Sequence, residues 1–340
     1  MNCALIHERP VDGGAKNAAS ARLYGVPSFT MQTDWPAQYF RFDGCDLRPT
    51  VEGGKHGDFH NPSLCARDDG DWLLVRRSVW KQGYLWGVND IVAFKLNRVM
   101  PTGGTPLKMI ARVPEEHYED PRVFVHEGRT FLSCCNFVWN HPQSRPHQIF
   151  CEMDKDWNCI RRFDPDFDGN GSHPFKGTQW QKNWLWFFHE GHIHLIYRTH
   201  IHHVVRFESN LKNVIKEYKT RHPKLAWKWG EMRGGSPPVR IGDEFWSFFH
   251  SSTDWGTKRY HMGAYCFEAK PPFMMTRCSD SPLLSGSEQD RIGNGKPLVI
   301  FAGGAVLRRG EWLVVFGVND LDCGWIRIPH ADLEKRMVTL

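Results

Sequence analysis

Apolar and polar positions along this chain alternate in short runs, not at helical spacing, and one run recurs. Five segments share a plan: a polar or Gly/Pro opening, a short apolar strand, a tight turn with glycine, then an aromatic-rich strand. They are NPSLCARDDGDWLLVRR, DPRVFVHEGRTFLSCC, KNWLWFFHEGHIHLIYR, GSPPVRIGDEFWSFFH and GGAVLRRGEWLVVFG. Their turn residues Gly70, Gly128, Gly191, Gly242 and Gly310 recur about every fifty to seventy residues. Such turns read as hairpins, where glycine takes a positive φ without a Cβ clash. A third strand follows each hairpin: NDIVAFKLN, HQIFCEMDKDW, HHVVRFESNL, YHMGAYCFEA and CGWIRIPHADL. Helical spacing is nearly absent, and the stretch from His330 to Arg336 is the best case for one short helix.

Five small antiparallel sheets predict an all-β fold, a five-bladed β-propeller with a central active-site funnel. A two-sheet sandwich is the structural alternative, but it needs no five-fold repetition. Residues 1 to about 55 precede the first unit and are expected to close the ring or shape the cleft rim. Residues 56–340 then form the propeller itself.

Composition narrows the class. The 340 residues suffice for one large domain or two ordinary ones. Hydrophobic residues make up 41% and charged residues 24%, which suits a globular chain with a sizeable core. The net charge of +5 is spread along the length without a basic run. That argues against a nucleic-acid partner and fits a small anionic substrate. The 15 Trp and 22 Phe fit short strands, and aromatic faces also line sugar sites. The 10 cysteines have no CxxC pair and no regular spacing, so they read as reduced, buried thiols of a cytoplasmic protein. Residues 1–10 include Glu8 and lack a long apolar core, unlike a signal peptide. No apolar stretch approaches the ~20 residues of a membrane span.

In a propeller, polar residues at equivalent ends of successive units converge near the axis. After the hairpin glycines stand Arg76 and Arg77, Arg198, and His250, with Asp320 slightly later in the last unit. At the openings stand Asn61, Asp120 with Arg122, and Lys182 with Asn183. Several cations and few carboxylates suit a phosphate or pyrophosphate facing one carboxylic acid. Surface ion pairs at blade edges are the competing reading, and recurrence in register across units speaks against it. The cluster His192, His194, His200, His202 and His203 invites a metal, but no HExxH motif accompanies it. Cleft lining or solvent exposure is preferred there, and no metal site is expected.

At these residues the chain resembles the inverting β-mannoside phosphorylases, the family of mannosylglucose phosphorylase and β-1,2-oligomannan phosphorylase. The matching pieces are Asn61-Pro62, Glu119-Asp120-Pro121-Arg122, Arg198, Gly235-Ser236-Pro237-Pro238, His250, Tyr260 in RYHMGAY, and Phe316-Gly317 followed by Asp320. They run in order from about residue 60 to the C-terminus. The resemblance implies a five-bladed propeller with Asp120 as general acid, reaching the glycosidic oxygen through a hydroxyl of the bound mannose. It implies that Lys182, Arg198, His250 and Tyr260 hold phosphate. It also implies that Asn61, Arg76 and Asp320 hold the sugar, and Arg122 belongs with that substrate-binding set. Inorganic phosphate is then a co-substrate and no cofactor is needed. Members of the family often associate, which leaves a homo-oligomer open.

The implied chemistry is coherent. An inverting hydrolase needs a second carboxylate to activate water. A phosphorylase does not, because phosphate is already an anionic nucleophile that needs only positioning and partial neutralisation. Lys182 stands where many members carry Arg, and the loop DPDFDGNGSHP departs from the family pattern. A sugar-nucleotide diphosphate suits the same cations, so a β-mannosyltransferase using GDP-mannose or mannose 1-phosphate is the alternative. A β-mannosidase and a non-catalytic glycan-binding propeller complete the set of readings.

Overall fold

The computed structural model describes residues 31–40, 42, 58–79, 88–111, 116–138, 147–164, 182–254, 258–286, 299–320 and 322–340. Most of the expected N-terminal extension and residues 165–174 of the DPDFDGNGSHP loop lie outside them. Two short strands come first, β1 (Met31–Gln32) and β2 (Ala37–Tyr39). The first repeat unit is a sheet of β3 (Asp58–Arg67), β4 (Gly70–Val79), β5 (Val88–Asn97) and β6 (Met100–Pro106). The second contains β7 (Glu116–His126), β8 (Arg129–Val138), β9 (His147–Met153) and β10 (Cys159–Phe163). The third contains β11 (Leu185–His189), β12 (His192–Arg198), β13 (His202–Phe207) and β14 (Val214–Thr220).

The fourth unit differs. Its short inner strands β15 (Arg233–Gly234) and β16 (Val239–Ile241) both pair β17 (Glu244–Asp254), which pairs β18 (Lys258–Glu268). Beyond β18 the sheet branches to β19 (Met275–Ser279) and β20 (Leu284–Gly286), and β20 pairs β1. The last unit contains β21 (Ile300–Arg308), β22 (Glu311–Val318) and β23 (Asp322–Pro329), with β2 as its outermost strand. Helix α1 (His330–Lys335) follows, and β24 (Met337–Thr339) returns to β19 of the fourth sheet.

The arrangement is propeller-like and all-β, but the expected five blades are corrected to four. Four sheets are four-stranded blades, and the remaining one is a branched sheet of eight strands. The physical reason lies at Pro237-Pro238, which lack the N–H groups a continuous inner strand needs and so split it into β15 and β16. The anticipated helix is present over His330–Lys335. Among the described residues no helix is long and apolar enough to cross a membrane.

Five apolar cores join the sheets in a closed series. Leu74 and Ile91 of the first blade pack with Leu132 and Ile149 of the second. Phe131 and Phe150 then meet Trp186 and Phe207 of the third. Ile196 and Val204 pack with Phe249 and Phe267 of the branched sheet. Trp246 and Phe248 pack with Trp312 and Phe316 of the last blade, whose Val315 and Trp325 return to Phe59 and Val92 of the first. Inner strands β3, β7 and β21 therefore crowd together at the centre. Ser63 Oγ donates to Gly303 O at 2.8 Å and accepts from Val123 N at 3.0 Å, tying all three.

Candidate active site

Two inner strands carry the same local device. In β3, Asn61 has φ 49° ahead of Pro62, and the pairing with β4 shifts between His60 and Ser63. In β7, Asp120 has φ 53° ahead of Pro121, and the pairing with β8 shifts between Glu119 and Arg122. Asn and Asp tolerate the left-handed region better than other side-chain residues, and a bulge re-aims the side chain it carries. Both side chains turn to the centre and meet: Asn61 Nδ2 donates to Asp120 Oδ1 at 2.7 Å. The same amide reaches Asp320 Oδ1 at 3.4 Å, from the left-handed Asn319-Asp320 turn after β22. A Cβ on Gly317 would lie 2.0 Å from Asn61 Oδ1, so glycine there makes room for this side chain.

Arg76 of β4 binds the carboxylates of the next blade. Its Nη1 lies 3.3 Å from Asp120 Oδ1 and its Nη2 2.7 Å from Glu119 Oε1. Asn89 of β5 accepts from Arg76 Nε at 3.0 Å and donates to Glu119 Oε1 at 3.0 Å. Lys182, just ahead of β11, reaches Glu119 Oε2 at 3.2 Å. His60 shares Ser78 Oγ at 2.7 Å, and Ser78 donates to Asn89 at 2.6 Å, so a polar network backs the site.

Arg122 is 2% exposed. Its Nη1 donates to the carbonyls of Pro121 at 2.9 Å and Asp120 at 3.3 Å, and its guanidinium lies 4.5 Å from the Phe301 ring centre. Phe301 also meets the His250 ring at 4.5 Å, and the Tyr260 ring lies nearly parallel to His250 with centres 6.3 Å apart. Arg233 of β15 sits across from His250 in the ladder. Among the described residues Arg122 Nε and Nη2, His250 Nδ1 and Asn61 Oδ1 are buried without a hydrogen-bond partner.

The electrostatics follow this layout. Burial pushes the Asp120 carboxyl up, but Arg76, Lys182, Arg122 and the Asn61 amide outweigh it and hold it well below the usual carboxylate range. Burial likewise opposes the Lys182 charge, yet the carboxylates Glu119 and Asp120 raise its ammonium above the ordinary value. Burial lowers Arg122 to about 10 despite Asp120. Burial, then Arg122 and Arg233, lower His250 to about 3. Burial and Arg76 lower His60 to about 4.

Of the residues anticipated from the sequence, Asn61, Arg76, Asp120, Arg122, Lys182 and Asp320 come together, with His250 and Tyr260 next to them across Phe301. Arg198 does not join this network. It is exposed, its guanidinium lies 5.6 Å from the Tyr197 ring centre, and no hydrogen bond or ion pair links it to Asp120 or His250 among the described residues. Arg77 pairs with Asp90 instead of facing the centre. The sequence reading missed Glu119, Asn89, His60 and Arg233. Glu119 lies within the matched motif, and Arg233 lies just before the matched Gly235; Asn89 carries no sequence signal of its own.

The histidine expectation is corrected in part, since His200 is exposed and His192 half-buried. His194, His202 and His203 are buried rather than lining a cleft, because aromatic neighbours surround them: Phe187 and Phe273 meet His194, and His202 Nδ1 contacts Phe273 O at 2.7 Å. Among the described residues no group of three or more His, Cys, Asp and Glu could hold a metal.

No family model and no curated protein matches the sequence. Solved structures do resemble the fold. The β-1,2-mannobiose phosphorylase from Listeria innocua, solved with β-1,2-mannobiose, aligns with TM-score 0.62 at 13% identity, covering 86% of this chain and 95% of that one. A glycosyl hydrolase from Bacteroides ovatus aligns with TM-score 0.61 at 13% identity, covering 92% of this chain and 96% of that one. A mannose phosphorylase from Leishmania mexicana, solved with a phosphate ion, aligns with TM-score 0.51 at 12% identity, covering 96% and 95%. At such identities the likeness establishes the shared fold.

Proposed function

We propose that this chain is a carbohydrate-active enzyme that transfers the mannosyl group of a β-mannoside to inorganic phosphate with inversion, giving α-mannose 1-phosphate. Asp120 is the general acid. The observation that carries this reading is one carboxylate, Asp120, held on a left-handed turn among Asn61, Arg76, Arg122 and Lys182. Glycoside phosphorylases and hydrolases among the fold relatives support it.

The sugar sits against Asn61, Arg76, Arg122 and Asp320, and phosphate enters on the side of His250 and Tyr260. Lys182 supplies further positive charge there, and exposed Arg198 at most a minor share. Asp120 protonates the departing oxygen, directly or through a mannose hydroxyl. A placed acid is worth roughly 10²–10⁴-fold. Asp120 and Asp320 share one amide, at 2.7 and 3.4 Å. Sharing one amide leaves little room between these two oxygens for the water that an inverting hydrolase places there.

The test is phosphate dependence. Incubated with β-1,2-mannobiose, the protein is expected to release mannose 1-phosphate only when phosphate is present. Mannose released at the same rate without phosphate would replace this reading with a β-mannosidase. A second reading, a β-mannosyltransferase, draws on Arg233 across from His250, which extends the positive charge toward a diphosphate. Transfer from GDP-mannose without phosphate would favour it.

A further inference from the structure

A general acid must hold a proton when its substrate is in place. Among the described residues, the side chains that hydrogen-bond to Asp120 are donors. The Asn61 amide at 2.7 Å and the Arg76 guanidinium at 3.3 Å both aim at Oδ1, and neither nitrogen can accept a carboxyl proton.

The charged and titratable groups facing this carboxyl come from seven elements or the turns beside them. Arg76 comes from β4, Lys182 from ahead of β11, and Arg122 from β7 itself. Glu119 of β7 is taken up by Arg76, Asn89 and Lys182. Asp320 follows β22 and shares the Asn61 amide. His60 of β3 and His250 of β17 are kept neutral by burial beside cations. Cys135 of β8 is a buried thiol pushed up by burial, so it stays protonated. The local balance favours the carboxylate.

This inference rests on the phosphorolytic reading. We propose that Asp120 is an ionised carboxylate in the ligand-free protein and takes up its catalytic proton only when a doubly charged anion enters beside His250 and Tyr260. The anion adds negative charge among the same cations and weakens their hold on the carboxylate, so its proton affinity rises. By linkage, a proton on Asp120 strengthens anion binding by the same factor.

The proton comes from solvent as the anion enters. It leaves on the departing sugar oxygen as the glycosidic C–O bond breaks. A phosphate oxygen forms the new bond to the anomeric carbon, and the proton of the attacking hydrogen phosphate returns to solvent from the product. Atoms and charge therefore balance without another reactant. The acid is thus unloaded until the nucleophile is present, which keeps a bound β-mannoside from being protonated with only water to attack it.

The experiment is calorimetric titration with sulfate, a dianion with no titrating proton near neutral pH, in buffers of different ionisation enthalpy. The native protein is expected to take up protons with sulfate, at most one per sulfate, and more near pH 5 than at pH 7.5. Asp120→Asn is expected to bind sulfate at least as tightly and to lose most of that uptake. Equal uptake in both proteins, or uptake lost in His250→Gln and kept in Asp120→Asn, overturns the proposal. So does sulfate binding without uptake in the native protein. If neither sulfate nor phosphate binds, the phosphorolytic reading fails and takes this inference with it.

Discussion

Asn61-Pro62 and Asp120-Pro121 are the same structure built twice. Each is a left-handed residue before a proline, at a shift in the pairing of an inner strand with its neighbour. They differ by an amide in one blade and a carboxylate in the next. The repeat supplies two matched perches, and one substitution makes a hydrogen-bond donor on the first and a proton carrier on the second. Chemistry here needs no departure from the fold, only asymmetry between copies.

Making the copies alike is the strongest way to break that comparison. Asp120→Asn keeps the left-handed backbone and the side-chain shape, so the thermal midpoint should stay within a few degrees. Release of mannose 1-phosphate should fall by about 10³-fold, within the range of a lost general acid. Near-native turnover would remove Asp120 from that role. The converse, Asn61→Asp, sets a second carboxylate at hydrogen-bond distance from Asp120. Two such groups share a proton, so the pair titrates higher. We expect kcat/KM to fall about 10²-fold at pH 7, on the scale of one site group's loss, with the pH profile moved upward. An unmoved profile would mean that the two side chains do not couple.

The residues just before the perches sharpen it further. Glu119 is gripped by cations, whereas His60 is buried neutral and lowered to about 4. A histidine near 6.5 when unfolded and about 4 when folded binds its proton first in the unfolded chain. Stability therefore falls as pH drops from 6.5 toward 4, by at most about 1.4 kcal/mol per pH unit for this group. His60→Gln should flatten the pH dependence of the thermal midpoint in that window. An unchanged slope would show that His60 does not titrate differently on folding.

The smallest effect is expected from a contrast between two residues on equivalent second strands. His250→Ala should raise the KM for phosphate about tenfold, the loss of roughly one charge-assisted hydrogen bond. Arg198→Ala should change it by no more than about threefold, the level of an exposed charge. Equal losses would return Arg198 to the phosphate side.

The same residues show what was legible beforehand. Hairpins, third strands and the short helix were visible because glycine turns and alternating runs are local. The branching of the fourth sheet was not, because β1, β20 and β24 join it by pairing at long range. Asn61, Asp120 and Asp320 could be placed together because they recur at unit ends. Glu119 was passed over because neighbours on a regular strand point to opposite faces. The left-handed Asp120 breaks that rule and sets both carboxylates on Arg76. Arg198 lies apart from that network for a related reason. Strand β4 pairs with β5 without a shift through Arg76, whereas the pairing of β12 with β13 shifts between Ile196 and Arg198. Such a bulge re-aims the side chain beyond it.

Strand β2 has a bearing on how the protein comes to exist. Ala37 lies across from Ile326 and Tyr39 across from Gly324, so the last blade borrows an edge made nearly a whole chain earlier. On the ribosome that edge is made before strands β3 to β22 and can pair only once β23 has emerged. Pairing at such sequence distance slows folding. Closure of the last blade through residues 37–39 is therefore expected to come late in folding.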